Sequence, residues 1–330
     1  MVIIAVVIFF GVILGILIVE YGQKRSFSSW LVEKMFAYRK YKLSKKVDNY
    51  KGVETQRNRN IPYHLDNPEE IVGFSTQEYD VNGIQVFIIN DQKQSHQPVI
   101  YYLYGSVYLR RPEKLHFKTV KHLIQLTNAK VVFPNFPNFP KVPYATYQDV
   151  YPKLVEAYQQ FCLSNGPSQV SVIGDSSGGG MALAFAKYIR DTKTALQPKQ
   201  LILISPWLDV SFKNQAYKDF EAEEAYLDAR RLRDIGELWA GGQGNMQLPY
   251  VSPLYGDCED LPEITTFVGT KEIFYPDIMS LHDQLTRQRI ANQLIIAEKM
   301  IHAYVIFPIR EAKQARKQIA ELVLKTVEPT

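Results

Sequence analysis

From residue 99 onward, short and wholly apolar runs alternate with longer stretches in which apolar side chains recur every three or four positions. The short runs have strand length and composition, and the longer ones have the period of helices with one buried face. Strands are predicted at Val99–Leu103, Val131–Phe133, Val170–Ile173, Leu201–Ile204, Ile264–Val268 and Leu294–Ala297. Helices are predicted at Leu115–Thr127, Tyr147–Leu163, Pro276–Arg289 and Ile309–Thr326, with another over Met181–Asp191. Upstream, Ser75–Asp91 carries two β-prone runs around Asn82-Gly83, a hairpin signal. Uninterrupted apolar strands alternating with helices predict an α/β domain over 71–330, its mostly parallel central sheet covered by helices on both faces. The segment from Pro206 to about Pro262 interrupts the alternation as an insertion that reads as mostly helical, with Glu221–Trp239 its clearest helix.

The first twenty residues follow a different pattern. Val2–Val19 is apolar and uncharged, and at 1.5 Å per residue it spans roughly 27 Å, the thickness of a bilayer core. With no basic stretch before it and no small-residue cleavage pattern after it, it reads as a transmembrane anchor rather than a cleaved signal. Residues 21–70 form a basic juxtamembrane or lid segment. Lys24, Arg25, Lys34, Arg39, Lys40, Lys42, Lys45 and Lys46 there are opposed by few acids. That bias predicts a single-pass membrane protein whose following domain is cytoplasmic. Within the segment, Ser29–Tyr41 mixes Trp30, Leu31, Met35, Phe36 and Tyr38 with cations, a pattern fitting a helix at the membrane surface or the first helix of a lid. Gly52–Pro68 is polar, rich in Asn and Arg, and reads as a linker or a mobile lid segment.

The chemistry concentrates at Val170–Gly180, VSVIGDSSGGG. A β-branched run ends in Gly174-Asp175-Ser176-Ser177-Gly178 and passes into a helical stretch. This is a strand, a sharp turn and a helix with G-x-S-x-G at the corner. Gly174 and Gly178 are expected to be small because a Cβ would collide across the turn, while Ser176 is held strained with its hydroxyl exposed. The Ser177 N–H, at a helix N-terminus, is placed to donate to an oxyanion. No lysine follows the glycines, which excludes a P-loop.

A serine hydroxyl needs a base, and the base needs an orienting carboxylate. His302 follows the last predicted strand, whereas His64, His96, His116 and His122 precede the elbow and His282 falls inside a helix. Glu272 lies just past the strand Ile264–Val268. Asp277 is the second choice, although its place at a helix start suits a cap, and Asp209 is the third.

These residues carry a resemblance. The chain resembles α/β-hydrolases of the hormone-sensitive-lipase-like esterase group over about Val99–Val323. The anchors are GDSSGG at Gly174–Gly179, SPWLD at Ser205–Asp209, YVSPLYGD at Tyr250–Asp257, GTKEIFYPD at Gly269–Asp277 and MIHAYVIFP at Met300–Pro308. The resemblance implies carboxylester hydrolysis with Ser176 as nucleophile, Glu272 as acid and His302 as base. It also implies a lid built from the N-terminal segment and the Pro206–Pro262 insertion. One motif departs from the pattern: where the family carries His-Gly-Gly-Gly, this chain reads Tyr104-Gly105-Ser106-Val107. The amides of Gly105 and Ser106 can still serve an oxyanion hole. A β-branched Val107 resists positive φ, however, and Ser106 adopts it reluctantly, so a different loop path is expected. Tyr101, Tyr102, Tyr104 and Tyr108 are read as an aromatic-lined mouth, with Tyr104 and Tyr108 as the pocket candidates and part of VIYYL belonging to the core.

Composition narrows the reading without changing it. The 330 residues suffice for one large domain. A net charge of +4, with its cations gathered near one end, does not point to nucleic acid. Two cysteines, Cys162 and Cys258, cannot build a disulfide framework, and no Cys/His cluster has metal-ligand spacing. The expected function is hydrolysis of a small-molecule ester or acyl substrate, by a membrane-anchored protein and without a cofactor. The alternatives are amide deacylation by the same residues, or a weakly active or non-catalytic protein that binds a lipid-like ligand. A purely structural membrane adaptor ranks last.

Overall fold

The carboxyl ends of six parallel strands line up at one edge of the sheet, and the loops leaving five of them hold the candidate polar groups. The computed structural model describes residues 14–44, 65–136 and 145–327. Within them the strands are β1 (Thr76–Val81), β2 (Ile84–Ile89), β3 (Val99–Leu103), β4 (Lys130–Asn135), β5 (Val170–Asp175), β6 (Gln200–Ile204), β7 (Glu263–Lys271) and β8 (Asn292–Ile301). Their order across the sheet is β1-β2-β4-β3-β5-β6-β7-β8. β1 and β2 form the antiparallel hairpin, β2 meets β4 antiparallel, and from β4 to β8 the pairing is parallel. The central strands β3, β5 and β6 are buried on both faces, which is why they read as unbroken apolar runs rather than alternating ones.

Helices α2 (Lys114–Thr127), α3 (Tyr147–Phe161), α4 (Ser177–Thr192), α6 (Tyr275–Arg287) and α7 (Arg310–Leu324) fall between or after the strands; α5 (Ala229–Ala240) lies in the insertion. The insertion is mostly turns and short 3₁₀ segments, not mostly helical, and its helix begins at Ala229 rather than Glu221. The cause is local. Asp228 caps α5 by accepting the Arg231 N–H at 3.1 Å. Just upstream, the Glu224 carboxylate accepts the amides of Tyr226, Leu227 and Ile273. Amides held by a side chain are unavailable to a helical ladder.

The helix expected around Ser29–Tyr41 is present as α1 (Phe27–Ser44). Ser26 caps it, its Oγ accepting the Ser29 N–H at 3.1 Å, and Glu311 of α7 receives both the N–H and the hydroxyl of Ser26 at 2.6 and 2.7 Å. Most of the predicted anchor, residues 2–13, lies outside the described residues, as does most of the 52–68 linker. No helix among the described residues is long and apolar enough to cross a membrane.

Candidate active site

Ser176 sits between β5 and α4 with φ 55° and ψ −123°, a conformation that non-glycine residues avoid unless their surroundings enforce it. Here the enforcement is close packing. A Cβ on Gly174 would strike the Gly178 carbonyl, and one on Gly178 would strike the Leu103 carbonyl of the neighbouring strand. The Ser176 carbonyl is held from two sides, by the amides of Gly180 (3.1 Å) and Trp207 (2.9 Å).

Facing it, His302 follows directly on β8. Its Nε2 lies 2.9 Å from the Ser176 Oγ, and its Nδ1 lies 2.5 Å from Oε2 of Glu272, the residue after β7. The structure therefore brings together three side chains 126 and 30 residues apart. All three are buried. A register irregularity between β7 and β8, where Gly269 pairs with Ala297 and Lys271 with Ile301, lengthens β8 relative to its neighbour. That extra length carries His302 out beside the loop of Glu272. Phe274 meets the imidazole edge-on at 5.0 Å, and the hydroxyl of Tyr226, from the insertion, donates to the His302 carbonyl at 3.1 Å.

The other two carboxylate candidates are placed elsewhere. Asp277 is in the first turn of α6, where it accepts from Asn214 at 3.0 Å. Burial raises its carboxyl to about 7, against the Asn214 hydrogen bond and with help from the Asp209 charge. Asp209 organises the start of the insertion, accepting from the amides of Ser211 and Lys213 and from the Tyr255 hydroxyl.

A residue without a predicted role completes the carboxylate's surroundings. The Ser205 Oγ donates to Glu272 Oε1 at 2.7 Å and accepts the Ala303 N–H at 3.0 Å, tying acid and histidine loops together. The Gly269 N–H is a second donor to that oxygen at 2.9 Å. Ser205 opens the SPWLD motif, so its position was visible in the sequence, but its partners come from two later strands.

The loop after β3 runs against expectation. Val107 does adopt positive φ, 48°, and so does Tyr108, 57°. The strain is over-determined by packing: the buried Tyr108 ring stacks on Trp239 at 4.4 Å and Trp207 at 5.4 Å. Tyr104 and Tyr108 do not line an open mouth. Tyr104 is wholly buried, stacked on Phe136 and Phe133, with its hydroxyl toward Asn135 Oδ1 at 3.3 Å. Tyr101 and Tyr102 are also interior, the latter bonded to Asp175 at 2.9 Å. Gly105 approaches the elbow so closely that a Cβ there would collide with Asp175 and press on Ser176 Cβ at 2.8 Å. The Ser106 N–H donates to the Ser177 hydroxyl oxygen at 2.9 Å, an engagement that places Ser177 side chain, loop amide and nucleophile in one corner.

A serine, histidine and carboxylate aligned on a strand–turn–helix corner, at the carboxyl edge of a parallel sheet, define an α/β-hydrolase architecture. The comparisons with known proteins agree. Residues 100–306 match the family model described as alpha/beta hydrolase fold, and the chain belongs to that family. Its place there is hormone-sensitive-lipase-like. It is 33% identical over 136 residues to an acetyl-hydrolase of Streptomyces hygroscopicus, covering 40% of this chain and 45% of the relative. It is 25% identical over 236 residues to a triacylglycerol lipase of Mycobacterium tuberculosis, covering 72% and 48%. The chain thus spans about half the length of these two relatives. Among solved structures, an esterase from the bacterial hormone-sensitive lipase family superposes with a TM-score of 0.69 at 25% identity, covering 79% of this chain and 89% of its own.

Proposed function

We propose that the chain is a serine hydrolase that cleaves carboxylic esters through an acyl-enzyme. The observation that carries this is the unbroken line from Ser176 Oγ through the His302 imidazole to the Glu272 carboxylate, at 2.9 and 2.5 Å. In the proposed reaction Ser176 attacks the ester carbonyl carbon as His302 Nε2 takes its proton. Glu272 holds the Nδ1–H and stabilises the imidazolium. The Ser177 and Gly105 amides, with Ser106 when it leaves the Ser177 hydroxyl, stabilise the tetrahedral oxyanion. The imidazolium then protonates the departing alcohol, and water activated by the same ring releases the acid. Relatives named acetyl-hydrolase and lipase support a small-molecule ester as substrate. Amide deacylation would use the same groups. The insertion and α1 are proposed as the lid, since Phe36 of α1 packs on Tyr226 at 4.7 Å. The run 2–19 is proposed as a membrane anchor with the domain on the cytoplasmic side.

The test is fluorophosphonate labelling together with turnover of p-nitrophenyl acetate. Both are expected in the parent chain and lost in Ser176→Ala. Turnover in His302→Ala is expected to fall by at least about 10³-fold. Labelling or turnover that persists in Ser176→Ala refutes the reading, and a parent chain that shows neither makes the domain a binding protein instead. Protease added outside intact cells should spare the domain; digestion would reverse the proposed topology.

A further inference from the structure

Helix α1 carries large apolar side chains on the face it turns to water as well as on the face it packs, where Val32 and Phe36 meet the core. Its inner face is fixed to the domain by polar and aromatic contacts. The Arg25 guanidinium pairs with buried Glu33 and donates to the Lys299 carbonyl at 3.0 Å. Lys271 reaches Glu33 at 3.1 Å, Lys40 donates to the Glu224 carbonyl at 3.0 Å, and Phe36 packs on Phe307 at 5.2 Å. Burial pushes the Glu33 carboxyl up, but hydrogen bonding and charge from Arg25, with Lys271 and Lys34 adding, outweigh it and hold the group below its ordinary range. With the inner face pinned, the outer face has no rotational freedom.

That outer face carries Leu31, Met35 and Tyr38, exposed by 53%, 48% and 60%. Lys42 continues the same stripe, because positions i, i+4, i+7 and i+11 share one side of a helix. Exposed Lys34 and Arg39 flank it. Lys34 also touches Glu33, the only acid of the helix, which lies on the inner side. Lys42 sits over the Tyr38 ring at 5.4 Å. An apolar stripe bordered by cations, on a helix with no exposed acid of its own, suits the headgroup region of an anionic bilayer. A water-facing surface rarely gathers such a patch. Of the described residues that precede α1, Leu14, Leu17, Ile18 and Tyr21 are also exposed, the first three of them within the uncharged run 2–19.

We propose that the outer face of α1 lies in the interface of an anionic lipid bilayer, holding the carboxyl edge of the sheet against the membrane. This deepens the membrane-anchored part of the preceding reading and is independent of the hydrolytic part. Full-length chains with Met35→Cys or, as control, Leu196→Cys would be labelled with an environment-sensitive fluorophore. The native Cys162 and Cys258 are buried, and Leu196 precedes β6 at the opposite edge of the sheet. Proteins are reconstituted into vesicles of phosphatidylcholine, with or without about 30 mol % phosphatidylserine and with lipid-attached quenchers.

Quenching at position 35 is expected to exceed that at 196 by roughly threefold or more in the anionic vesicles. Charge reversal at Lys34→Glu, Arg39→Glu and Lys42→Glu together should return it toward the value in neutral vesicles. If the protein floats with vesicles but positions 35 and 196 are quenched alike, the α1 proposal is refuted while the anchor stands. If no protein floats, both fall. Efficient disulfide cross-linking of unlabelled Met35→Cys chains to one another assigns the face to a second copy and likewise overturns the proposal.

Discussion

Ser177 decides how many donors the proposed oxyanion hole can offer. Its hydroxyl oxygen accepts the Ser106 amide at 2.9 Å, so that amide must change partner before it can serve a substrate. Ser177→Ala should free it and raise kcat/KM for p-nitrophenyl acetate by several-fold, bounded by the roughly 10²-fold that one such donor is worth. A fall in steady-state kinetics would show that the hydroxyl itself donates. Ser205 acts through its neighbours. Ser205→Ala leaves the Glu272 oxygen with one donor fewer and the Ala303 amide without this acceptor, a loss of about 1–2 kcal/mol. If felt in the transition state, that lowers kcat about 5- to 30-fold, and KM should barely change because no contact to substrate is removed. The order serine, carboxylate, histidine could be read along the chain because each residue ends a strand. The Ser205 contacts could not, because they depend on β6, β7 and β8 ending side by side.

At the scale of elements, the insertion is held down by an unusual peg. Lys187 of α4 is completely buried, and its ammonium donates to the carbonyls of Pro253 and Tyr255 at 3.0 Å and Gly256 at 3.3 Å. Lys187→Leu removes a charge-assisted donor from three carbonyls, and unfolding in urea should show a loss of about 2–4 kcal/mol. An unchanged midpoint would mean that water replaces the ammonium without cost. The strands and helices of the sheet were legible because burial on both faces writes itself as apolar runs. The insertion was not: its apolar positions at 221–239 have helical spacing, yet Glu224 gathers the nearby amides and Asp228 starts the helix afresh. The loop after β3 misled for a related reason. Backbone preference argued against Val107 at positive φ, but a stack of Tyr108 between two tryptophans outweighs a local cost of order 1–3 kcal/mol.

Across the whole molecule, the interior carries a dependence on pH that belongs to Asp277. Its folded-state value of about 7 lies above the ordinary 3.8 because of burial. The folded state therefore prefers the protonated acid. The contribution of this one group to stability is full below about pH 4 and declines as pH rises toward 7, where the carboxyl must ionise in a dry site or the chain must open. Asp277→Asn keeps the acceptor for Asn214 without that charge. It should be more stable than the parent by on the order of 2–4 kcal/mol at about pH 8, with little difference at about pH 4. Equal urea midpoints at the higher pH would contradict the assignment. The aromatic residues around β3 also belong to this scale. Tyr104 and Tyr108 read as a mouth when taken as a cluster along the chain, yet both are consumed by the core, where Phe133, Phe136, Trp207 and Trp239 converge from other elements.

The contact of Phe36 with Tyr226 and Phe307 has a practical corollary. A shortened protein starting after residue 44, the natural choice for a well-behaved soluble preparation, would strip an aromatic neighbour from the tyrosine whose hydroxyl steadies the His302 carbonyl. Sluggish turnover by such a fragment would report the amputation, not the competence of the intact chain.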